Sequence, residues 1–86
     1  MSRRVRVEVT AADIATGEPT FCRSCPVALA LLRAGFTRVS VGESIAAAEF
    51  GEVPLPRKVA SFVRHFDRGR PVKPFAFDLE LPEAAS

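Results

Sequence analysis

An apolar segment in the first half of the chain limits what this sequence can fold into. The stretch from Val27 to Ala34 contains a single polar side chain, that of Arg33. A helix that is apolar almost all round must be buried on most of its sides. Pro26 suits the first turn of such a helix, where its missing N–H costs nothing. We therefore predict a central helix that begins at Cys25 or Pro26, ends at Gly35 and is enclosed by the rest of the chain.

Alternating segments on both sides of this helix supply the layer that can enclose it. Residues 4–9 read RVRVEV and residues 75–81 read FAFDLEL, and both show the period-two pattern of half-buried strands. Residues 37–41 (TRVSV) alternate in the same way and predict a further strand. Residues 45–50 (IAAAEF) are ambiguous, because alanine favours a helical turn whereas the short spacing favours a hairpin strand. We interpret them as a strand.

Two more helices are predicted, one on each side of the middle of the chain. Residues 10–17 form a short helix with Thr10 as N-cap, a carboxylate three residues later and Gly17 as a left-handed stop. After the 53–56 connector, residues 59, 62, 63 and 66 form one apolar stripe of a third helix that Gly69 ends. The predicted order of elements is therefore β, short α, α, β, β, α, β.

This order predicts an α+β fold. We expect a small two-layer domain with a mostly antiparallel sheet of three or four strands and two main helices on one face. With 86 residues the chain forms a single domain, 1–86, in which 82–86 is a frayed tail. No apolar run approaches the ~20 residues that cross a bilayer, and no secretory signal opens the sequence, so we expect a cytoplasmic protein without membrane contact.

The chain has two cysteines, Cys22 and Cys25, which are three residues apart at the start of the central helix. A helix N-terminus and the intervening Arg23 both lower a thiol pKa, so the pair is a candidate redox site. A zinc ion needs four ligands, and this pair supplies two, which would require a second subunit. The third interpretation is that both are small, partly buried packing residues. We expect no cofactor.

Basic residues are concentrated between positions 57 and 73, although the net charge of the chain is only +2. Asp67 is the one acidic residue in this segment. The basic residues are Arg57, Lys58, Arg64, Arg68, Arg70 and Lys73. A cationic patch of this kind can bind a protein or nucleic-acid partner, and the alternative is a solvated helix face.

Two segments resemble parts of known proteins. The C-x-x-C-P-x-A-L-A-L stretch at 22–31 and the F-x-x-x-F-D-x-G-x-P-V-x-P-F stretch at 62–75 resemble a group of short proteins from bacteriophages and actinobacterial genomes. That resemblance implies a phage or prophage setting, but it implies no catalytic residues. The C-x-x-C that opens a helix is also similar to thioredoxin-like proteins, although Arg-Ser stands between the cysteines in place of their Gly-Pro.

The sequence favours an interaction protein over an enzyme. It has a single histidine, no glycine-rich phosphate loop and no well-spaced carboxylate pair. We expect a non-enzymatic protein that binds a protein partner, with a homodimer as one form of that binding. The alternatives are nucleic-acid binding through residues 57–73 and thiol or metal chemistry at Cys22 and Cys25.

Overall fold

The structure, a computed structural model, describes residues 3–19, 21 and 23–81. Its elements are β1 (Arg3–Val9), α1 (Ala11–Thr16), α2 (Pro26–Arg33), β2 (Ser40–Val41), β3 (Ile45–Ala48), β4 (Gly51–Pro54), α3 (Arg57–Asp67) and β5 (Phe75–Leu81). The predicted α+β class is confirmed, because three helices pack with antiparallel strands. The tail at 82–86, which the sequence predicts to be frayed, lies outside the described residues.

The strands form two antiparallel sheets. β1 and β5 form a two-stranded ribbon whose register runs from Arg3 opposite Leu81 to Val9 opposite Phe75. The second sheet has the order β2-β3-β4. Alternation in the sequence shows which side chains face a core, but it does not show which strands pair. The division of the strands between two sheets was therefore not predictable from the pattern alone.

One core joins both sheets to the helices, and α2 lies within it. The buried apolar residues of the described chain are Val7, Val9, Cys25, Val27, Ala28, Ala30, Leu31, Val39, Val41, Ala46, Val53, Leu55, Val59, Phe62, Val63, Phe77, Leu79 and Leu81. The prediction that α2 is largely enclosed is confirmed, since every residue from Pro26 to Ala28 is buried. Only its last turn is open, where the side chain of Leu32 is 45% exposed.

Both long helices end as the sequence predicts, at a left-handed glycine. Gly35 has φ +106° and Gly69 has φ +74°, values that side chains rarely allow. After α2, the Phe36 N–H donates to the Leu31 carbonyl at 3.2 Å. After α3, the Arg70 N–H donates to the carbonyl of His65 at 2.9 Å. These are Schellman motifs, which satisfy carbonyls that the helix leaves unpaired.

Gly17 has a different role from the predicted left-handed stop. Its φ is −68°, an angle open to any residue. The glycine is needed because α1 ends against the start of α2. A Cβ at this position would lie 2.7 Å from Cδ of Pro26 and 2.8 Å from the carbonyl oxygen of Asp13. The prediction was wrong because it considered the backbone of α1 alone, whereas the constraint comes from the next helix.

The middle of the chain departs most from the predicted elements. The strand expected at 37–41 is reduced to Ser40–Val41, because Arg38 adopts a left-handed φ of +54° that interrupts extended structure. The ambiguous segment at 45–50 begins as a strand, as we interpreted it, and β3 covers Ile45–Ala48. It continues through a tight turn at 49–50 into β4, where the sequence predicted only a connector.

Candidate functional site

The predicted basic residues of α3 fall on two stripes of the helix. All six basic side chains from position 57 to 73 are exposed. With 100° between successive residues, Arg57, Arg64 and Arg68 lie on the face opposite the buried Val59. Lys58 lies about 100° away from them, on a stripe that it shares with Ser61 and His65 at the i+3 and i+7 positions. The structure therefore separates the predicted basic set instead of gathering it into one patch.

The stripe that contains Lys58 lines a groove, which we call the α3 groove. This groove lies between α3 and the segment that leads into β5, and it has a volume of about 410 Å³. Its lining residues are Lys58, Ser61, Phe62, His65, Pro71, Val72, Lys73 and Phe75. Two of the predicted basic residues, Lys58 and Lys73, thus line the same groove. None of the lining residues is acidic, so the groove favours an anionic ligand.

Aromatic rings form the floor of the α3 groove. The ring of Phe62 lies 4.8 Å from that of Phe75, measured between centroids. This pair continues on one side to Phe66, at 6.3 Å from Phe62, and on the other to Phe77, at 5.7 Å from Phe75. Ring pairs at these separations are favourable and hold one another in place. The groove therefore offers a preformed apolar surface beneath its two lysines.

The sequence showed that aromatic residues of α3 face inward, but it did not show that they would form the floor of a groove. The i, i+3, i+4, i+7 stripe of α3 indicated that Phe62 and Phe66 face a core, and the structure confirms this for the buried Phe62. Nothing in the stripe indicates that Pro71, Val72 and Phe75 return to cover the same helix. Contacts between distant segments carry no local pattern, so the basic residues were predictable from the sequence but the groove that two of them line was not.

Two cations stand at the N-terminus of α3, where they oppose the helix dipole. Arg57 and Lys58 occupy the first turn, which contains no acidic residue, and Pro56 provides no side-chain cap. The N-terminal end of a helix carries a partial positive charge, so cations there are unfavourable. Lys58 recovers one interaction, because its Nζ donates to the carbonyl of Ala76 at 3.0 Å. An anion bound nearby would relieve the remaining repulsion.

The cysteine site is only half described. Cys25 is the N-cap residue of α2, makes no side-chain capping bond there and is 3% exposed. Cys22, the other member of the pair, lies outside the described residues. Burial limits the access of an oxidant or a metal ion to the Cys25 sulfur. Within 3–19, 21 and 23–81, no cluster of three or more His, Cys, Asp or Glu side chains is placed to hold a metal ion.

A second pocket lies next to Cys25. It has a volume of about 460 Å³ and is lined by Phe21, Cys25, Val41, Gly42, Glu43, Val63, Asp67 and Arg68. Arg68, one of the predicted basic residues, thus belongs to this pocket and not to the α3 groove. Both signs of charge occur in the lining, and Phe21 is 58% exposed. Its lining carries two carboxylates and one guanidinium, so it does not offer charge of a single sign as the α3 groove does.

An ion pair between the half-exposed Arg33 and the buried Asp13 ties α1 to α2. Arg33 donates from Nη1 to Oδ1 of Asp13 at 2.6 Å and from Nη2 to Oδ2 at 2.8 Å. The hydrogen bonds from Arg33 lower the pKa of Asp13, although burial acts in the opposite direction. Asp13 also accepts a bond from the N–H of Thr10, whose hydroxyl accepts from the Asp13 N–H, and these two bonds complete a capping box. The pair is a structural clamp.

No protein-family model matches this chain, and no curated protein or solved structure matches it. Within the described part of the chain, none of the helices combines the length and the apolar character that crossing a membrane requires. On the surface of the molecule, the α3 groove combines a defined shape with charge of one sign.

Proposed function

We propose that the protein is a non-enzymatic interaction module that binds a segment of a protein partner in the α3 groove. The observation that carries the proposal is the combination of a ring-lined floor with lysines and no carboxylate in the lining. Apolar surface supplies affinity, whereas charge supplies steering and selectivity. A groove that offers both suits a segment with an acidic residue next to an aromatic or aliphatic one.

The volume of the groove limits how many side chains of the partner can enter it. A volume of about 410 Å³ is at the lower end of the range for ligand pockets, enough for one or two side chains of a partner. Lys58 and Lys73 would contact the acidic group, and Phe62 and Phe75 would contact the apolar one. The partner's remaining contacts would lie on the surface around the groove.

Nucleic-acid binding is the second candidate, and one observation favours it. Arg57, Arg64 and Arg68 lie along the outward face of α3 with spacings of seven and four residues. A row of arginines can follow a phosphate backbone, and binding of that kind weakens steeply with salt. This face has no aromatic residue among the three arginines, so it offers phosphate contacts without base stacking. The α3 groove, with its rings, fits a peptide better.

The test compares charge reversals inside the α3 groove with one outside it. Peptides of twelve random residues are selected on the full chain by display, and the enriched peptides are titrated with fluorescence anisotropy. We expect acidic and apolar residues in the enriched sequences and at least about tenfold weaker binding to Lys58→Glu or Lys73→Glu. Arg64→Glu carries the same charge change on the same protein but lies outside the groove, and we expect it to bind as the unsubstituted chain does.

Other outcomes assign the surface differently. A selection that enriches no peptide, or peptides whose affinity is equal for Lys58→Glu and the unsubstituted chain, overturns the proposal. A labelled 20-base-pair DNA duplex that binds at low salt, and that Arg64→Glu weakens more than Lys58→Glu, replaces it with the nucleic-acid candidate. The proposal retains the cytoplasmic location that we expect from the sequence. It also retains the phage or prophage setting that the sequence resemblance implies, in which the partner is a host protein.

A further inference from the structure

Two carbonyl groups of the β1–β5 ribbon show which of its residues point their backbone N–H and C=O groups outward. Glu8 and Ala76 lie opposite each other in the register. The Glu8 carbonyl accepts a bond from Arg33 Nη2 at 2.6 Å, and the Ala76 carbonyl accepts one from Lys58 Nζ at 3.0 Å. In an antiparallel pair, every second pair of residues points its N–H and C=O groups away from the partner strand. We infer that Glu8 and Ala76 form such a pair, with side chains from α2 and α3 bonded to opposite edges.

This alternation leaves backbone groups open farther along both edges. Counting by twos from Ala76, Asp78 and Glu80 also point their N–H and C=O groups outward from β5. The backbone–backbone hydrogen bonds between elements of the described chain include none from these two residues. Their side chains are exposed as well. At the β5 edge, Lys58 therefore bonds to the outward carbonyl of Ala76, whereas the outward backbone groups of Asp78 and Glu80 are available to a partner strand.

The open part of this edge continues from the α3 groove. Lys58 lines the groove and also holds the Ala76 carbonyl. Phe75, the first residue of β5, forms part of the groove floor. An extended segment that leaves the groove past Phe75 would reach Asp78 after about 10 Å, at ~3.3 Å per residue. Strand addition at a sheet edge, with side chains in a nearby pocket, is a recurrent mode of peptide recognition.

Charge argues against a second copy of this chain on the same edge. A two-fold pairing of two β5 edges about Asp78 would place Asp78 opposite its own equivalent. Like charges directly opposite each other in a sheet are destabilising. Acidic residues at an exposed edge protect it against self-pairing but permit a basic partner strand. The edge therefore suits a different protein, with a basic residue opposite Asp78.

We propose that the partner segment binds as an extended strand added to the outer edge of β5, with an acidic and apolar end in the α3 groove and a basic residue opposite Asp78. This proposal rests on the proposed function, because it uses the α3 groove as the anchor. It adds the conformation of the bound segment, the edge that receives it and a second charge requirement. A helical segment in the groove would satisfy the proposed function but not this one.

The experiment places proline on each edge of the ribbon. Asp78→Pro removes an N–H that points out of the ribbon, so the β1–β5 ladder keeps its bonds while the edge loses a donor. Arg6→Pro is the matched control, since Arg6 lies opposite Asp78 in the register and changes the other edge equally. Peptides are selected on the full chain, on Asp78→Pro and on Arg6→Pro, and circular dichroism confirms that each variant is folded.

We expect the peptides enriched on the full chain to bind Arg6→Pro with unchanged affinity and Asp78→Pro at least about tenfold more weakly. A second measurement needs no variant: each residue of one enriched peptide is N-methylated in turn. An added strand loses affinity at alternate residues, because only every second N–H pairs with the edge.

The outcomes separate this proposal from the previous one. Equal binding to Asp78→Pro, or N-methylation that is equally harmful at consecutive residues, overturns strand addition and leaves the α3 groove as a docking site. No enrichment on any of the three proteins overturns both proposals. A dimer of the full chain in light scattering that Asp78→Pro converts to a monomer assigns the edge to a second copy, against this inference.

Discussion

At the scale of single residues, the clearest case is the clamp between Asp13 and Arg33. The sequence placed Asp13 in the capping box of α1, and the structure confirms both of its bonds to Thr10. For Arg33, the sequence showed only that it is the single polar residue of an apolar helix. The guanidinium of Arg33 stays half-exposed, as a cation on an apolar helix requires, but its pairing with Asp13 was not predictable from the sequence. The contact spans twenty residues of sequence, and no local pattern encodes it.

The loss of stability at acidic pH tests the ion pair between Asp13 and Arg33. Arg33 lowers the pKa of Asp13 below its ordinary value of 3.8, so the carboxylate binds its proton less readily in the folded chain. Its contribution is therefore fully present above about pH 4 and is lost as the pH falls below that value through the depressed pKa. We expect urea unfolding to show Asp13→Asn less stable than the unsubstituted chain at pH 7, with the difference shrinking towards pH 3.

Glu80→Gln is the control for that experiment. It removes a carboxylate that pairs with Arg4 at 2.9 Å on the exposed face of the ribbon. Surface pairs of this kind contribute little, so the unfolding midpoint at pH 7 should change much less than in Asp13→Asn. A stability difference for Asp13→Asn that stays constant from pH 7 to pH 3 would show that the charge of Asp13 is unimportant.

At the scale of elements, α3 was predicted well and the strands around it less well. Its apolar stripe and its final glycine are local signals, and the structure confirms both in Arg57–Asp67 and the Gly69 that follows it. β4 was missed, because its four residues include Pro54 and show little alternation. Its pairing with β3 forms through a two-residue turn and the left-handed Gly51, with φ +95°. Short strands of this kind depend on their neighbours more than on their own propensity.

The cations at the start of α3 lead to a prediction about stability. Arg57→Glu replaces a repulsive interaction with the helix dipole by an attractive one, so we expect thermal unfolding to show a gain of about 0.5–1 kcal/mol. Arg64→Glu makes the same substitution in the last turn of the same helix, where a basic residue is favourable, and should be destabilising by a similar amount. A loss of stability in Arg57→Glu would mean that Arg57 has a structural role that its exposure does not suggest.

At the scale of the whole molecule, both sheets and two of the helices share one core. α2 supplies its centre, with Val27, Ala28 and Leu31 fully covered. An 86-residue chain has room for a single core, so the two sheets should not unfold separately. The sequence predicted this centre correctly, because a nearly uninterrupted apolar helix has no other stable location.

Two neighbouring leucines of α2 test the position of that core. Leu31 is 0% exposed and Leu32 is 45% exposed. We expect Leu31→Ala to lower the free energy of unfolding by about 2–5 kcal/mol and Leu32→Ala to change it by less than about 1 kcal/mol. Because the chain has no Trp or Tyr, urea unfolding is followed by far-ultraviolet circular dichroism. Equal effects of the two substitutions would contradict the orientation of α2 in the structure.

The sequence by itself determined features that depend on local interactions: the α+β class, the capping box of α1, the left-handed glycines after α2 and α3, the buried course of α2 and the cations of the 57–73 segment. Each of these depends on interactions within a few residues, or on the need of an apolar stripe to leave water. Only the tertiary structure decided which strands pair, why Gly17 must be glycine, and that Pro71, Val72 and Phe75 meet α3 to form a groove. These are contacts between distant segments, which depend on how the whole chain fills its core and leave no period in the sequence.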